Sequence, residues 1–217
     1  MSRAACIFSG GHGHYFASTS AGLSEILAGR DFEVHTETDF DVGIQRLGET
    51  DLLVVNALRW TMVQHEKYAP FRRAHAFRMA PGRMQRLAGW VREGGRLLAM
   101  HTAVICFDTE PEWLNLLGGG WRWGASHHPP RGPLRIAPTG AEAFDLVDEA
   151  YHHLSPAADV EILATCDAGE GAQPVAWTRR YGAGRVAVDT LGHDRQSLDT
   201  LGHALLIDGL IDWLSAA

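Results

Sequence analysis

Two short apolar runs, "DLLVVNA" at 51–57 and "RLLAM" at 96–100, limit most strongly what this chain can fold into. A strand with one wet face alternates polar and apolar residues. A strand that is apolar on both sides has to be covered on both sides, and a parallel sheet between layers of helices does that. The sequence between the runs fits. Pro81 stands at the opening turn of a helix, Met84, Leu87, Ala88 and Val91 recur on one side, and Gly94-Gly95 ends it. Upstream, "AACIF" at 4–8 reads as a strand. A helix with Leu23, Ile26 and Leu27 on one face follows and ends near Gly29. "FEVHTE" at 32–37 alternates as a second strand, and 41–48 is a short amphipathic segment. The expectation is an α/β fold: a doubly wound, mostly parallel sheet with helices on both faces. A chain of 217 residues with 46% apolar content suits a single domain, 1–217, with one sizeable core.

The second half changes character. "LLGGGWRWGASHHPPRGP" at 116–133 is a long loop, and "PVAWTRRY" and "RVAVDT" flank Gly182-Ala183-Gly184 as a C-terminal hairpin. A helix from about Ser197 to Leu214 presents Leu201, Leu205, Ile207, Leu210 and Leu214, a face that serves the core or a partner subunit and leaves a homo-oligomer open. Residues 58–80 read as an insertion, rich in Arg, His and aromatics, whose role is open.

A net charge of −7 gives no electrostatic reason to expect nucleic acid or an anionic membrane. No run of about 18 apolar residues suggests a spanning helix, and the N-terminal apolar stretch is too short for a signal peptide. Three cysteines at wide spacing, with no CxxC, read as reduced thiols of a cytoplasmic protein.

The chemistry is expected at histidines, of which there are twelve. On α/β sheets ligands sit at the carboxyl ends of strands. His14, His101 and His193 each follow an expected strand, so they can converge from distant parts of the sequence. In "RLLAMHTAVICF", 96–107, His101 stands at a strand-to-helix elbow of the kind where hydrolases place a Ser or Cys nucleophile. A histidine there acts as a general base or acid, or as a ligand of Zn²⁺ or a similar ion. Further candidates are His127 and His128 in "ASHHPP", and Asp148, Glu149, Tyr151, His152 and His153 in "DLVDEAYHHL". His35, His65 and His75 read as solvated or capping residues. Cys106, between Ile105 and Phe107, reads as a buried structural thiol. The loop "SGGHGHYF" has neither GxxxxGK[ST] nor GxGxxG, so it is no phosphate cradle. Its Gly10, Gly11 and Gly13 allow close approach of backbone to a ligand.

"GGRLLAMHTAV", "WLNLLGGGWRWGASHHPP", "FDLVDEAYHHL" and "PVAWTRRYGAGRVAVDTLGHD" occur in that order, behind the opening "SGGHGHYF". Together they resemble the ThuA-like (trehalose utilisation) family, within the class I glutamine amidotransferase-like superfamily. The resemblance implies a flavodoxin-like arrangement of the sheet. Amidotransferases of that superfamily carry Cys at the elbow and a His after a late strand. Here His101 takes the elbow, His193 matches the late His, and Asp194 follows where an acidic partner would stand. Loss of the Cys implies no glutaminase activity. The family context implies a carbohydrate or keto-sugar substrate and a hydrolysis, elimination or isomerisation.

On that reading His101, His193, Asp194 and Glu149 are catalytic. Gly11, Trp121, Trp123, His128 and Tyr151 contact substrate, the two Trp by stacking on a sugar face. His14, His101 and His193 hold a divalent metal such as Zn, Mn or Ni. The segment "IAPTGAEA" departs from the family by lacking a His-Pro turn. Two other readings stand beside this one: a non-catalytic ligand-binding or scaffold protein on the same fold, and a hydrolase dependent on Cys106.

Overall fold

The computed structural model describes residues 3–216. Its first half alternates strand and helix: β1 (Arg3–Gly11), α1 (Phe16–Ala28), β2 (Phe32–Glu37), α2 (Phe40–Gln45) and β3 (Leu52–Leu58). A 3-10 turn, Glu66–Phe71, and the short α3 (Arg72–His75) lie in the 58–80 segment, before α4 (Arg83–Arg92) and β4 (Arg96–Met100). Gly82, in a left-handed conformation, precedes α4, so the helix begins two residues past Pro81. A 3-10 turn, His101–Ile105, then leads to α5 (Pro111–Leu117). The second half holds β5 (Gly132–Pro138), β6 (Phe144–Asp148), β7 (Glu161–Asp167), β8 (Ala172–Tyr181), β9 (Gly184–Asp189), α6 (Arg195–Leu198) and α7 (Leu201–Ser215).

All nine strands form one sheet in the order β2-β1-β3-β4-β9-β8-β7-β5-β6. The pairings from β2 through β9 are parallel, and those from β9 through β6 are antiparallel. The sheet is therefore mixed rather than mostly parallel. The parallel half comes from strands separated by helices. In the antiparallel half, β5–β6, β7–β8 and β8–β9 are joined by short turns, which can only reverse direction, and β7 comes back beside β5 after a longer connection.

Side chains of the parallel strands alternate between two cores, as a pleated strand requires. Cys6, Phe8, Leu53, Val55, Leu97 and Ala99 meet α2, α4 and α5 through Phe40, Ile44, Leu87, Val91, Trp113 and Leu116. Ala5, Ile7, Leu52, Val54, Leu98 and Met100 meet α1 and α7 through Leu23, Leu27, Ile207, Leu210 and Leu214. Helices thus cover both faces.

The expected single helix over 197–214 is broken. Asp194 caps α6 by accepting from Ser197 N at 3.0 Å, and Thr200 adopts an extended conformation before α7 begins. Leu201 and Leu205, expected on the apolar face, are 74% and 61% exposed, and the helix packs through Ile207, Leu210, Ile211 and Leu214. Among the described residues no helix is long and apolar enough to cross a membrane.

Candidate active site

Strand β4 ends at Met100, and His101 turns the chain with a φ of +48°. That region is unfavourable for a residue with a Cβ. Packing holds it there: the Thr102 hydroxyl donates to Ala57 O at 2.8 Å, and His101 itself is buried. Its Nδ1 lies 2.8 Å from Thr190 O, at the end of β9. A carbonyl only accepts, so Nδ1 carries the proton and Nε2 presents a lone pair.

That lone pair meets groups delivered by three other segments. His14, in the loop after β1, places its Nε2 3.2 Å away. Tyr151 OH is 3.3 Å away, and its ring stacks on His101 at 5.2 Å. Glu149 Oε2 is 3.6 Å away. His193, after β9, stands with its Nδ1 3.5 Å from Glu149 Oε1. Ligand atoms of His14, His101, Glu149 and His193 all lie within 4.8 Å of one another.

Asp148 supports this set from behind without entering it. Its fully buried carboxylate accepts from Glu149 N at 2.8 Å, Gly192 N at 2.8 Å and His193 N at 3.4 Å, and from the Ser197 hydroxyl. One side chain thereby ties the β6 end, which carries Glu149, to the β9 end, which carries His193.

Burial and neighbours move the proton affinities apart. Burial, reinforced by His101 and His193, lowers the pKa of His14 to about 4. Burial also lowers that of His101. For Glu149, burial works upward, but the imidazoles of His193, His101 and His128 beside it prevail and hold it at about 2. The Glu149 carboxylate beside it raises His193. Burial and the adjacent carboxylates push the Tyr151 hydroxyl far up, so it stays protonated and donates to Glu149 Oε2 at 3.2 Å.

In front of the cluster lies a cleft lined by Gly13, Trp60, Tyr68, Trp121, Trp123 and His128, among others. His128 Nδ1 reaches to 3.7 Å from Glu149 Oε1. Of the residues expected at the site, His14, His101, His193, Glu149, Tyr151, His128, Trp121 and Trp123 are brought together. Asp194 and Gly11 are not. Asp194 caps α6 and pairs with Arg131 at 2.6 Å. Gly11 pairs with Leu58 of β3, and a Cβ there would stand 2.2 Å from Leu58 O, so its glycine serves strand packing. Trp60 and Tyr68, from the 58–80 segment, escaped sequence reasoning. Trp60 lies two residues past the end of β3, where the carboxyl-end rule would have pointed to it.

Cys106 is buried, donates its Sγ–H to Ala57 O and accepts from Arg59 N, and burial pushes its thiol up to about 12. Nothing here activates a sulfur nucleophile.

A model of the ThuA family, trehalose utilisation, matches residues 4–214. The chain belongs to that family. Its fold is similar to that of a ThuA-like protein from Parabacteroides merdae ATCC 43184, with a TM-score of 0.77 at 17% identity over 99% of this chain and 90% of that one. A ThuA-like protein from Bacteroides uniformis ATCC 8492 gives 0.72 at 15% identity over 98% and 91%. A β-galactosidase from Rahnella sp. R3 gives 0.59 at 17% identity, where this chain covers 31% of the larger protein. No curated protein matches the sequence.

Proposed function

We propose that this protein is a carbohydrate-active enzyme of the ThuA type, which transforms a sugar or keto-sugar by metal-assisted hydrolysis, elimination or isomerisation and has no glutaminase activity. The observation that carries this reading is the four-donor cluster of His14, His101, Glu149 and His193 at the base of an aromatic cleft. The order of the parallel strands supports a flavodoxin-like arrangement of that half, with its ligand at the carboxyl ends. The family's link to trehalose utilisation supports a sugar as substrate. Buried free thiols suit a cytoplasmic enzyme.

The donor set fits a divalent ion. Three imidazoles and one carboxylate suit Zn, Mn or Ni. His101 donates its other ring nitrogen to a backbone carbonyl, as metal-ligating histidines do. Burial favours neutral rings in His14 and His101, the form that ligates. A bound ion would stabilise negative charge on a substrate oxygen, such as that of an enolate formed beside a ketone.

The chain's own groups do the rest. Trp121 and Trp123 meet edge to face at 6.0 Å and offer a stacking wall for a sugar ring. Tyr151 keeps its proton and serves as a donor to a substrate oxygen. His128, at the rim, takes a hydroxyl. With His14, His101 and His193 committed to the ion, His128, 37% exposed in its side chain, is the imidazole at the cleft left to carry a proton to solvent. A scaffold protein would have no use for four ionisable groups packed this closely, since each loses solvation by burial.

The test is metal content of tag-free protein by plasma mass spectrometry, for wild type, His101→Ala and His193→Ala, followed by a keto-sugar screen by NMR. The expected result is one ion fewer in each variant and turnover by wild type alone. Equal ion counts after soaking in zinc, manganese and nickel would overturn the metal-assisted reading. Absence of turnover across keto-sugars and glycosides would overturn the substrate class.

A further inference from the structure

A second cluster of donors lies outside the cleft and is built from three separate segments. His127 comes from the long loop, His153 from the stretch after β6, and Glu170 from the turn between β7 and β8. His127 Nε2 is 3.3 Å from Glu170 Oε1, and His153 Nε2 is 3.2 Å from Glu170 Oε2. The donor atoms of all three residues lie within 4.8 Å of one another. Donors at 2.0–2.1 Å from a tetrahedral zinc ion stand about 3.3 Å apart, the distance at which each imidazole stands from an oxygen of Glu170.

One further feature marks the place as built. His152, 1% exposed, stacks on His127 at 4.8 Å with an interplanar angle of 14°. Neither of its ring nitrogens has a hydrogen-bond partner, and its Nδ1 faces Glu170 Oε2 at 3.5 Å. Buried polar atoms are rarely left so, and one beside a ligating carboxylate would orient it.

The geometry points to a divalent-cation site, separate from the cleft, in which His127, His153 and Glu170 ligate zinc or a similar ion and His152 orients the carboxylate. The ion's task is a clamp. His127 is already tied to His152 by one backbone bond, His152 N to His127 O at 2.9 Å. An ion at this point would fasten the loop that carries Trp121, Trp123 and His128 to the segment that carries Tyr151 and to the β7–β8 turn. The wall of the cleft would then be fixed from outside.

The ligands are about half exposed, with side-chain exposures of 49% for His127 and Glu170 and 52% for His153, so substitution leaves the core intact. Tag-free protein, stripped with a chelator, is equilibrated by dialysis against Zn²⁺, and bound zinc is counted per chain. Wild type is compared with Glu170→Gln, His153→Ala and, as a control, His35→Ala, an exposed histidine elsewhere. The first two are expected to bind one ion fewer than wild type, and the control the same number. Because the readout is a difference between variants, it holds whether or not the cleft takes an ion. An equal count in wild type and Glu170→Gln overturns the proposal. So does an equal loss in His35→Ala, which would make the binding adventitious.

Discussion

Asp148→Asn removes one charge and keeps the shape, so its effect can be worked from the contacts. One carboxylate oxygen accepts from Glu149 N; the other accepts from Gly192 N, His193 N and the Ser197 hydroxyl. An asparagine has one acceptor and one NH₂. In its cheaper orientation the carbonyl keeps the three donors and the NH₂ confronts Glu149 N–H. That leaves two buried donor groups unmet, the Glu149 N–H and the introduced NH₂, at about 1 kcal/mol or more each. The other three bonds lose the assistance of charge, which makes them roughly half as strong. The expected loss is about 3 kcal/mol. In a domain of this size that lowers Tm by about 6–12 °C. Urea unfolding followed by tryptophan fluorescence reads the stability, and zinc dialysis reads the site, since Glu149 and His193 both hang from this carboxylate. Stability within about 0.5 kcal/mol of wild type, the level of an ordinary surface substitution, would refute the reasoning. Unchanged zinc binding would show that Asp148 does not position the ligands.

Three further outcomes are expected. Iodoacetamide should label Cys106 in native protein far more slowly than in urea, because the thiol is buried and its pKa is pushed up to about 12; fast native labelling would restore a sulfur-dependent reaction. Gly184→Ala places a Cβ 1.8 Å from Val91 O, so β9 must shift against α4, at a cost of about 1–3 kcal/mol; an unchanged urea midpoint would contradict the close approach. Burial works to lower the pKa of His203, but the Asp189 carboxylate at 3.0 Å outweighs it and the pKa is raised. That contribution to stability is complete below the unfolded pKa of about 6.5 and fades as pH rises through the higher folded value. The urea midpoint of wild type should therefore fall towards that of His203→Gln as pH climbs from about 6 to about 9, and parallel curves would remove the pair from the account.

The legible parts of the fold were those dictated locally. The runs at 51–57 and 96–100 became β3 and β4 because a two-sided apolar strand has one home. Illegible was the pairing of β9 with β4, which is set by the covering of both faces and not by the residues of β9 itself. The helix at 197–214 misled because apolar spacing continues through Asp199-Thr200, where a cap and an extended residue interrupt it.

At the site, His14, His101 and His193 were readable from their places after strands. Trp60 was readable by the same rule, two residues past β3, and was missed; Tyr68 was not, because 58–80 has no periodic pattern to locate it. Asp194 looked like a partner of His193 by adjacency, but neighbouring side chains on an extended backbone point apart, and it turned to α6 and Arg131.

The position of β9 has a consequence for how the chain comes to be folded. It is the last strand in sequence and sits in the interior of the sheet, between β4 and β8. Until residues 184–189 arrive, a growing chain holds two unfinished sheets, each with an open row of amide groups that invites pairing with another molecule. The join between the two halves, Arg96 of β4 against Arg185 of β9, is a long-range pairing, the kind of contact whose closure slows folding. Premature termination before residue 184 would therefore yield sticky fragments instead of a smaller folded protein, and the cleft would exist only after the final strand had closed the gap.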